Sequence, residues 1–545
     1  MRQIRNYYIQ LLLLLLLGGV ACNKELEKSP LDRFDTSTFW TNETNVMLAL
    51  TGVYRGNIQA NGAEFSPTDW WSYNGLLFLE FASDNAFDRR GENSPFHKLS
   101  DGTLTATNGI LPQYWANSYV RVARSNYFLE NVGKAPISDV LKARLSAEVR
   151  FIRACQYFYL SQYWGAAPLV TQTLTPEQAN TVRKAPKGQV VQFVIDELTA
   201  AAAVLPRHKD IPASERGRAS KQAALAFLGR ILLAEGRYAE AAAAYKMIID
   251  FGDNIIDPNF QTIFLVSNKN SNEHVFSTQY LENLEPNGML QHFFPAVAGG
   301  WHIFCPLGSL VESFEFADGT PFSYTDARYT AVDIGRDRDP RLKYTILYNG
   351  QPFKGLAYST HPDFNTPDQL GAGKQTTQTG YGLKKFVDEG FSGNLVNYGG
   401  NVPVIRYAEV LLSYLEAVLE SGQPVTQALL DQTINAVRGR ATVNMPRITQ
   451  TNVTLLRDIV RRERRVELAC EGIRYWDLLR WKVAGQALNG DFYGAPYPGA
   501  VKLRKKGTVT DPYSRWYVTT RAFRVGTDEV WPVPQSETNI NPNLK

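Results

Sequence analysis

The sequence predicts a mostly α-helical protein, a scaffold of helical repeats that carries long loop-rich inserts. Three observations lead there. Apolar residues recur every three or four positions at 35–60, 115–132, 140–164, 190–205, 219–250, 406–438 and 460–481, the period of a helix with one buried face. Small residues stand where two of these segments would have to approach closely. Between them, 60–111 and 251–401 are rich in Gly, Pro, Asn, Asp and aromatic residues, and loops that long carry function more often than they merely connect.

At the start of the chain, Arg2 and Arg5 precede the apolar run 11–17, too short to span a bilayer. Gly18, Gly19, Val20 and Ala21 then lead to Cys22. Small residues directly before a cysteine resemble the lipobox of bacterial lipoproteins, with Gly19 in place of the usual leucine. The resemblance implies a signal peptide over 1–21, lipidation of Cys22 and a polar tether over 22–38.

Thr41, Glu43 and Asn45 offer caps to a first helix with Val46, Leu48 and Val53 on its apolar positions. A second helix, 115–132, turns Trp115, Tyr119, Val122 and Leu129 inward. In the third, 140–164, Val149, Ile152, Gln156 and Tyr159 trace the stripe, and Gly165 with Pro168 ends it. An amphipathic helix over 190–205 precedes a hairpin of 219–234 and 239–250. There Leu228, Gly229, Gly236, Tyr238, Ala241 and Tyr245 match the spacing of a tetratricopeptide repeat. Helices at 406–420 and 425–438 extend this into degenerate repeats that bury their faces by stacking. Short strands are expected at 273–280 and 343–347. The proline-bearing end, 528–545, reads as an irregular strap rather than an element.

The segment 460–481, VRRERRVELACEGIRYWDLLRW, places Val466, Cys470, Ile473 and Trp476 on one face of a helix. Each of its arginines has an acid within one turn, so it reads as a buried lattice of Arg–carboxylate pairs. A phosphate grip would want a glycine-rich loop, and none is present. Gly472 costs about 1 kcal/mol against Ala inside a helix, so its bare backbone is expected to sit against another element.

The run 461–481 closely resembles the C-terminal signature of the SusD/RagB family, and AEVRFIRACQYFYLSQYWGAAPLV at 147–170 resembles its N-terminal one. DGTPF at 318–322, RDPRL at 338–342, TGYGLKKF at 379–386 and the end of the chain resemble further family segments, so the likeness covers essentially everything after Cys22. It implies a SusD-like α-α superhelix with an N-terminal helical part, 39–255, and a C-terminal part, 256–545, whose insert 256–401 binds ligand. It also implies a non-enzymatic lipoprotein of the outer membrane, facing the cell exterior. Such a protein captures oligosaccharides and delivers them to a SusC-like TonB-dependent barrel. Peptide capture, as in the RagB branch, and a gating subunit with weak ligand affinity are the alternatives.

The remaining chemistry is sparse. A net charge of +4, or +2 without Arg2 and Arg5, leaves no electrostatic footprint for nucleic acid. Cys22, Cys155, Cys305 and Cys470 make no disulfide framework. The six histidines form no zinc-protease pair, and no GxSxG elbow occurs. Gly371-Ala372-Gly373-Lys374 misses the phosphate loop, with Asp368 and Gln375 where glycine and Ser/Thr are needed. No metal or cofactor is implied.

A sugar, by contrast, asks for flat rings flanked by Asn, Asp and Arg. Two loop stretches offer that mix: 82–101, with Asp84, Asn85, Asp88, Arg89, Arg90 and Phe96, and 280–304, with Tyr280, Phe293, Phe294, Trp301 and His302. The candidate ligand-binding residues are Trp301, Asp84, Asn85, Arg89, Arg90, Phe96, Tyr280 and His302. Trp301 leads them, because Gly299 and Gly300 beside it predict an exposed ring. Trp115, Tyr157, Tyr163, Tyr475 and Trp476 keep helical spacing and read as scaffold.

Overall fold

The computed structural model describes residues 39–57, 68–373 and 375–545; the expected signal peptide, Cys22 and the tether lie outside the described residues. Helix α1 (Glu43–Arg55) begins at Asn42, whose side chain accepts from the Asn45 amide at 2.9 Å. Asn42 is therefore the cap, in place of Thr41, Glu43 or Asn45, since its short carboxamide reaches an orphan N–H of the first turn. Helices α2 (Leu111–Asn131) and α3 (Asp139–Tyr163) follow, α3 capped by Ser138. Val149, Ile152, Gln156 and Tyr159 are all buried on α3, as their period requires.

Helices α4 (Lys187–Val204), α5 (Lys221–Ala234) and α6 (Tyr238–Phe251) come next. Gly229 lies against the Tyr245 ring, where a Cβ would overlap the ring atoms. After the long insert come α7 (Tyr407–Glu420) and α8 (Val453–Glu467). Packing runs in series, α2 on α3, α3 on α4, α4 on α5, α5 on α6, α6 on α7 and α7 on α8. Helices α6 and α7 touch although the insert separates them in sequence. The mostly helical scaffold with loop-rich inserts is thus what forms, each helix burying itself on its neighbours.

Four segments depart from expectation. The helix expected over 460–481 is two: α8 ends at Glu467, and α9 (Arg474–Arg480) resumes after a turn. Cys470 (φ 66°) and Gly472 (φ 80°) make that turn through the left-handed region. Gly472 is required twice over, by its φ and by the Leu76 carbonyl, which occupies the place of a Cβ. The helix expected over 425–438 breaks at Thr433 into Gln427–Gln432 and Ile434–Arg438. Of 343–347, only the end is strand, since Arg341–Thr345 is a helical turn ahead of the strand Ile346–Tyr348. The C-terminal strap includes a short helix, Gln535–Ile540.

Strands serve as clips rather than as a continuous sheet. β1 (Ala86–Asp88) pairs antiparallel with β3 (Phe304–Pro306), β2 (His274–Thr278) with β4 (Val402–Arg406), and β5 (Asn489–Pro496) with β6 (Arg515–Ala522). The insert is held on the scaffold by the arginine lattice. Arg341, Arg406 and Arg440 converge on Glu467 at 3.0, 3.1 and 3.0 Å. Burial alone would raise the Glu467 carboxyl; Arg440, Arg406, Arg341 and Lys385 outweigh it and pull the pKa down to about 2. These partners come from other elements rather than from the same turn. Of the local pairs, Arg480–Asp477 forms at 2.7 Å, whereas Arg474 turns to Asp84. Cys155, Cys305 and Cys470 are buried free thiols.

Candidate functional site

The two loop stretches meet through the β1–β3 ladder. Ala86 faces Pro306 and Asp88 faces Phe304, and the ladder continues as Arg89 N–H donates to the Ile303 carbonyl at 2.9 Å. That register sets Arg89 and Arg90 alongside Trp301. The tryptophan is presented by a reversal of the chain. Gly299 turns it at φ 81°, the Trp301 amide donates to the Gln291 carbonyl at 2.7 Å, and the Ile303 amide donates to the His292 carbonyl at 2.7 Å. Gly300 is bare because its Cβ would strike the Phe294 carbonyl.

The result is a cavity of about 360 Å³ lined by Asn74, Phe78, Arg89, Arg90, Phe96 and Trp301, with Thr68, Pro95, Ile110, Gln113, His292 and Ile303 completing it. Trp301 is partly buried, its ring 5.1 Å from His292 at a 36° tilt. Phe96 is buried, edge-on to Phe78 at 5.8 Å. Arg90 is exposed but tied to the fully buried Asp88, its Nε and Nη2 donating at 2.9 and 2.6 Å. Ser94 Oγ also donates to Asp88, at 2.5 Å. Burial, with Arg90 and Arg89 adding repulsion, lowers His292 to about 3, so the ring facing the cavity is neutral and pairs with the Tyr73 hydroxyl at 3.1 Å.

Four of the candidates therefore share this cavity: Trp301, Arg89, Arg90 and Phe96. The other four do not line it. Asp84 is buried and bound to Arg474 and Arg465 at 2.8 and 3.0 Å. Asn85 is buried, donating to Glu80 at 2.9 Å and accepting from Arg465 at 2.8 Å. Asp84 thus fastens the loop to α8 and α9, and Asn85 fastens it to α8. His302 is buried beneath the turn, near the Tyr358 hydroxyl (3.3 Å) and Asp368 (3.5 Å), and Asp368 accepts from the Ala296 and Val297 amides. Tyr280 is buried at the edge of a separate cavity of about 390 Å³ with Tyr54, Trp71 and Phe276. Phe293 and Phe294 also face inward.

Asn74, Gln113 and His292 are lining residues that the sequence did not single out. Gln113 sits on the first turn of α2 and is fixed by accepting from the Thr68 amide at 3.0 Å; nothing in its neighbourhood marks it. Among the described residues, no group of three or more His, Cys, Asp or Glu is placed to hold a metal ion, and no helix is long and apolar enough to cross a membrane.

Comparison with known proteins places this geometry in context. A family model described as starch-binding, associating with the outer membrane, matches residues 69–233. The chain is 49% identical to a SusD-like carbohydrate-binding protein of Bacteroides fragilis, with a TM-score of 0.91 over 93% of this chain and all of that one. It is 25% identical to SusD-like protein P25 of Formosa agariphila, over 86% of this chain and 88% of the relative. It is also 21% identical to the starch-binding protein SusD of Bacteroides thetaiotaomicron, over 91% of this chain and 95% of that protein. The model of the SusD family itself matches residues 262–545, just over half of the chain, and the chain belongs to that family.

Proposed function

We propose that this protein captures oligosaccharides at the outer membrane without chemically altering them, and passes them to a SusC-like TonB-dependent barrel. The observation that carries the reading is Trp301, a partly exposed indole set on a glycine turn at the wall of a concave site bordered by arginines and carboxamides. Such a ring stacks on the C–H face of a sugar while Arg90, Asn74 and Gln113 meet hydroxyls. Similarity to one relative that is a carbohydrate-binding protein and another that is a starch-binding protein supports a glycan as ligand. The family description supports association with the outer membrane, and the lipobox-like residues before Cys22 support a lipid anchor at its outer surface. The mix of rings and polar residues at the cavity, Trp301, Phe78 and Phe96 with Asn74, Gln113 and Arg90, supports sugar over peptide.

Calorimetric titration of the protein against a panel of oligosaccharides and peptides tests this. Trp301→Ala is expected to weaken glycan binding about two- to tenfold, since stacking of an aromatic side chain contributes about 0.5–1.5 kcal/mol. Its thermal midpoint should stay close to that of the wild type. Unchanged glycan affinity in Trp301→Ala, or binding of peptides alone, overturns the reading.

A further inference from the structure

The cavity contains one charge that the fold does not answer. Buried arginines elsewhere are matched: Arg121 to Asp69, Arg341 to Asp339, Arg406 to Glu471, Arg464 to Asp477, and Arg521 to the carbonyls of Phe81, Ser83 and Ala86. Arg89 is different. Arg121 and Arg521 also leave a buried Nε–H without an acceptor, but their other guanidinium nitrogens are bonded, whereas the Arg89 side chain makes no hydrogen bond or ion pair at all among the described residues. The adjacent carboxylate, Asp88, is already taken by Arg90 and Ser94. No Asp or Glu lines the cavity. Burial lowers the Arg89 pKa, with Cys305 and Asp88 only partly opposing it and Arg90 adding to it. A guanidinium half withdrawn from water without a counter-charge is costly. An incoming anion removes that cost, and the planar fork of Arg suits a carboxylate or sulfate.

We propose that the glycan received beside Trp301 is acidic, its oxyanion, a uronate carboxylate or a sulfate ester, resting on Arg89. This rests on the capture reading above and adds the chemical class of the ligand. The neutral His292 and the compensated Arg90 leave Arg89 as the group that sets the preference.

The test uses two matched probe pairs: tetragalacturonate with its fully methyl-esterified form, and a sulfated carrageenan tetrasaccharide with its desulfated form. Each is titrated into the wild type, Arg89→Gln and Trp301→Ala at low and at physiological salt. The expected result is that one acidic probe binds about ten- to hundredfold more tightly than its neutral partner, the range of a hydrogen bond to a charged group. That advantage should shrink with salt and vanish in Arg89→Gln. The pair that shows it tells carboxylate from sulfate. Arg89→Gln should retain its near-ultraviolet circular dichroism and thermal midpoint, since no internal partner is lost. Equal affinity for acidic and neutral probes, no binding of either acidic probe, or an acidic preference that survives in Arg89→Gln overturns the inference. If acidic and neutral probes bind the wild type equally well and both bind poorly to Trp301→Ala, the inference fails while the capture reading stands. Binding indifferent to Trp301→Ala removes both.

Discussion

Glu80, in the helical turn Leu77–Ala82, and Asp84, just after it, are buried carboxyls that the fold drives in opposite directions. Burial would raise Asp84, yet Arg465 and Arg474 hold it well below the usual carboxylate range. Glu80 forms no ion pair among the described residues, and the Arg474 charge lowers it only weakly. Burial raises it to about 7, against hydrogen bonds from Asn85 and from the Arg474 and Gly472 amides. The sign for stability follows from linkage. Glu80 binds its proton more tightly folded than unfolded, so its effect is neutral below about pH 4.5 and increasingly destabilising as pH rises toward 7. Glu80→Gln cannot ionise. Its stability relative to the wild type is therefore expected to rise between pH 4.5 and 7.5, by at most about 3 kcal/mol for a shift of this size. Denaturant midpoints of both proteins at the two pH values measure it, and a difference that does not change with pH refutes the assignment. The glutamine keeps an acceptor for the Gly472 amide, now at 2.9 Å from Glu80, so the backbone turn should persist.

At the scale of elements, α8, its turn and α9 fasten the insert to the helices, and Glu467 is the central pin. Its three guanidinium partners come from the insert (Arg341), the end of β4 (Arg406) and the segment after Ile434–Arg438 (Arg440). A buried lattice of this kind adds little over a well-packed apolar core, but removing one member strands the others. Glu467→Gln is expected to cost about 3–5 kcal/mol on that ground, read as a drop in urea midpoint at neutral pH. The folded pKa is depressed, so this contribution is complete above about pH 4.5 and lost as pH falls toward 2; the mutant should accordingly converge on the wild type in acid. A midpoint unchanged at neutral pH sinks the claim. These elements also show how far the sequence could be read. Helices with a stripe, such as α3, were legible because period and burial coincide. The break at Cys470 was not, since Val466, Cys470, Ile473 and Trp476 keep helical spacing straight through a left-handed turn. Long-range partners, Arg341 for Glu467 or Asp84 for Arg474, leave no local mark, so the lattice was legible as a lattice but not in its pairings. The site was half legible for the same reason. Trp301 and Arg89 sit in recognisable loops, but composition does not reveal that Asp84 and Asn85 face inward while Gln113 and His292 face the cavity.

Across the whole molecule, one aromatic stack joins the parts that sequence order keeps distant. Trp531 of the C-terminal strap stacks on Tyr163 of α3 at 4.5 Å, and Tyr163 lies 5.2 Å from Trp70 with planes within 6°. The Trp531 amide donates to the Tyr163 carbonyl at 2.7 Å, its indole N–H donates to the Tyr475 hydroxyl of α9 at 3.2 Å, and Trp164 donates to the Pro532 carbonyl at 3.0 Å. Trp70 lies next to Thr68 and Asp69, and Thr68 borders the Trp301 cavity. The strap thus closes α3 and α9 over the segment that shapes the site. Truncating so large a buried side chain typically costs about 3–5 kcal/mol, part of it transfer and part the cavity left behind. Because the stack reaches helices from both halves of the chain, Trp531→Ala is expected to shift the melting of the far-ultraviolet and near-ultraviolet signals together, to one lower midpoint. Coincident transitions are the mark of a cooperative unit. A strap that merely decorated the scaffold would behave differently, losing near-ultraviolet signal in the mutant while the helical signal melted at the wild-type temperature, and that outcome would contradict the role assigned to Trp531.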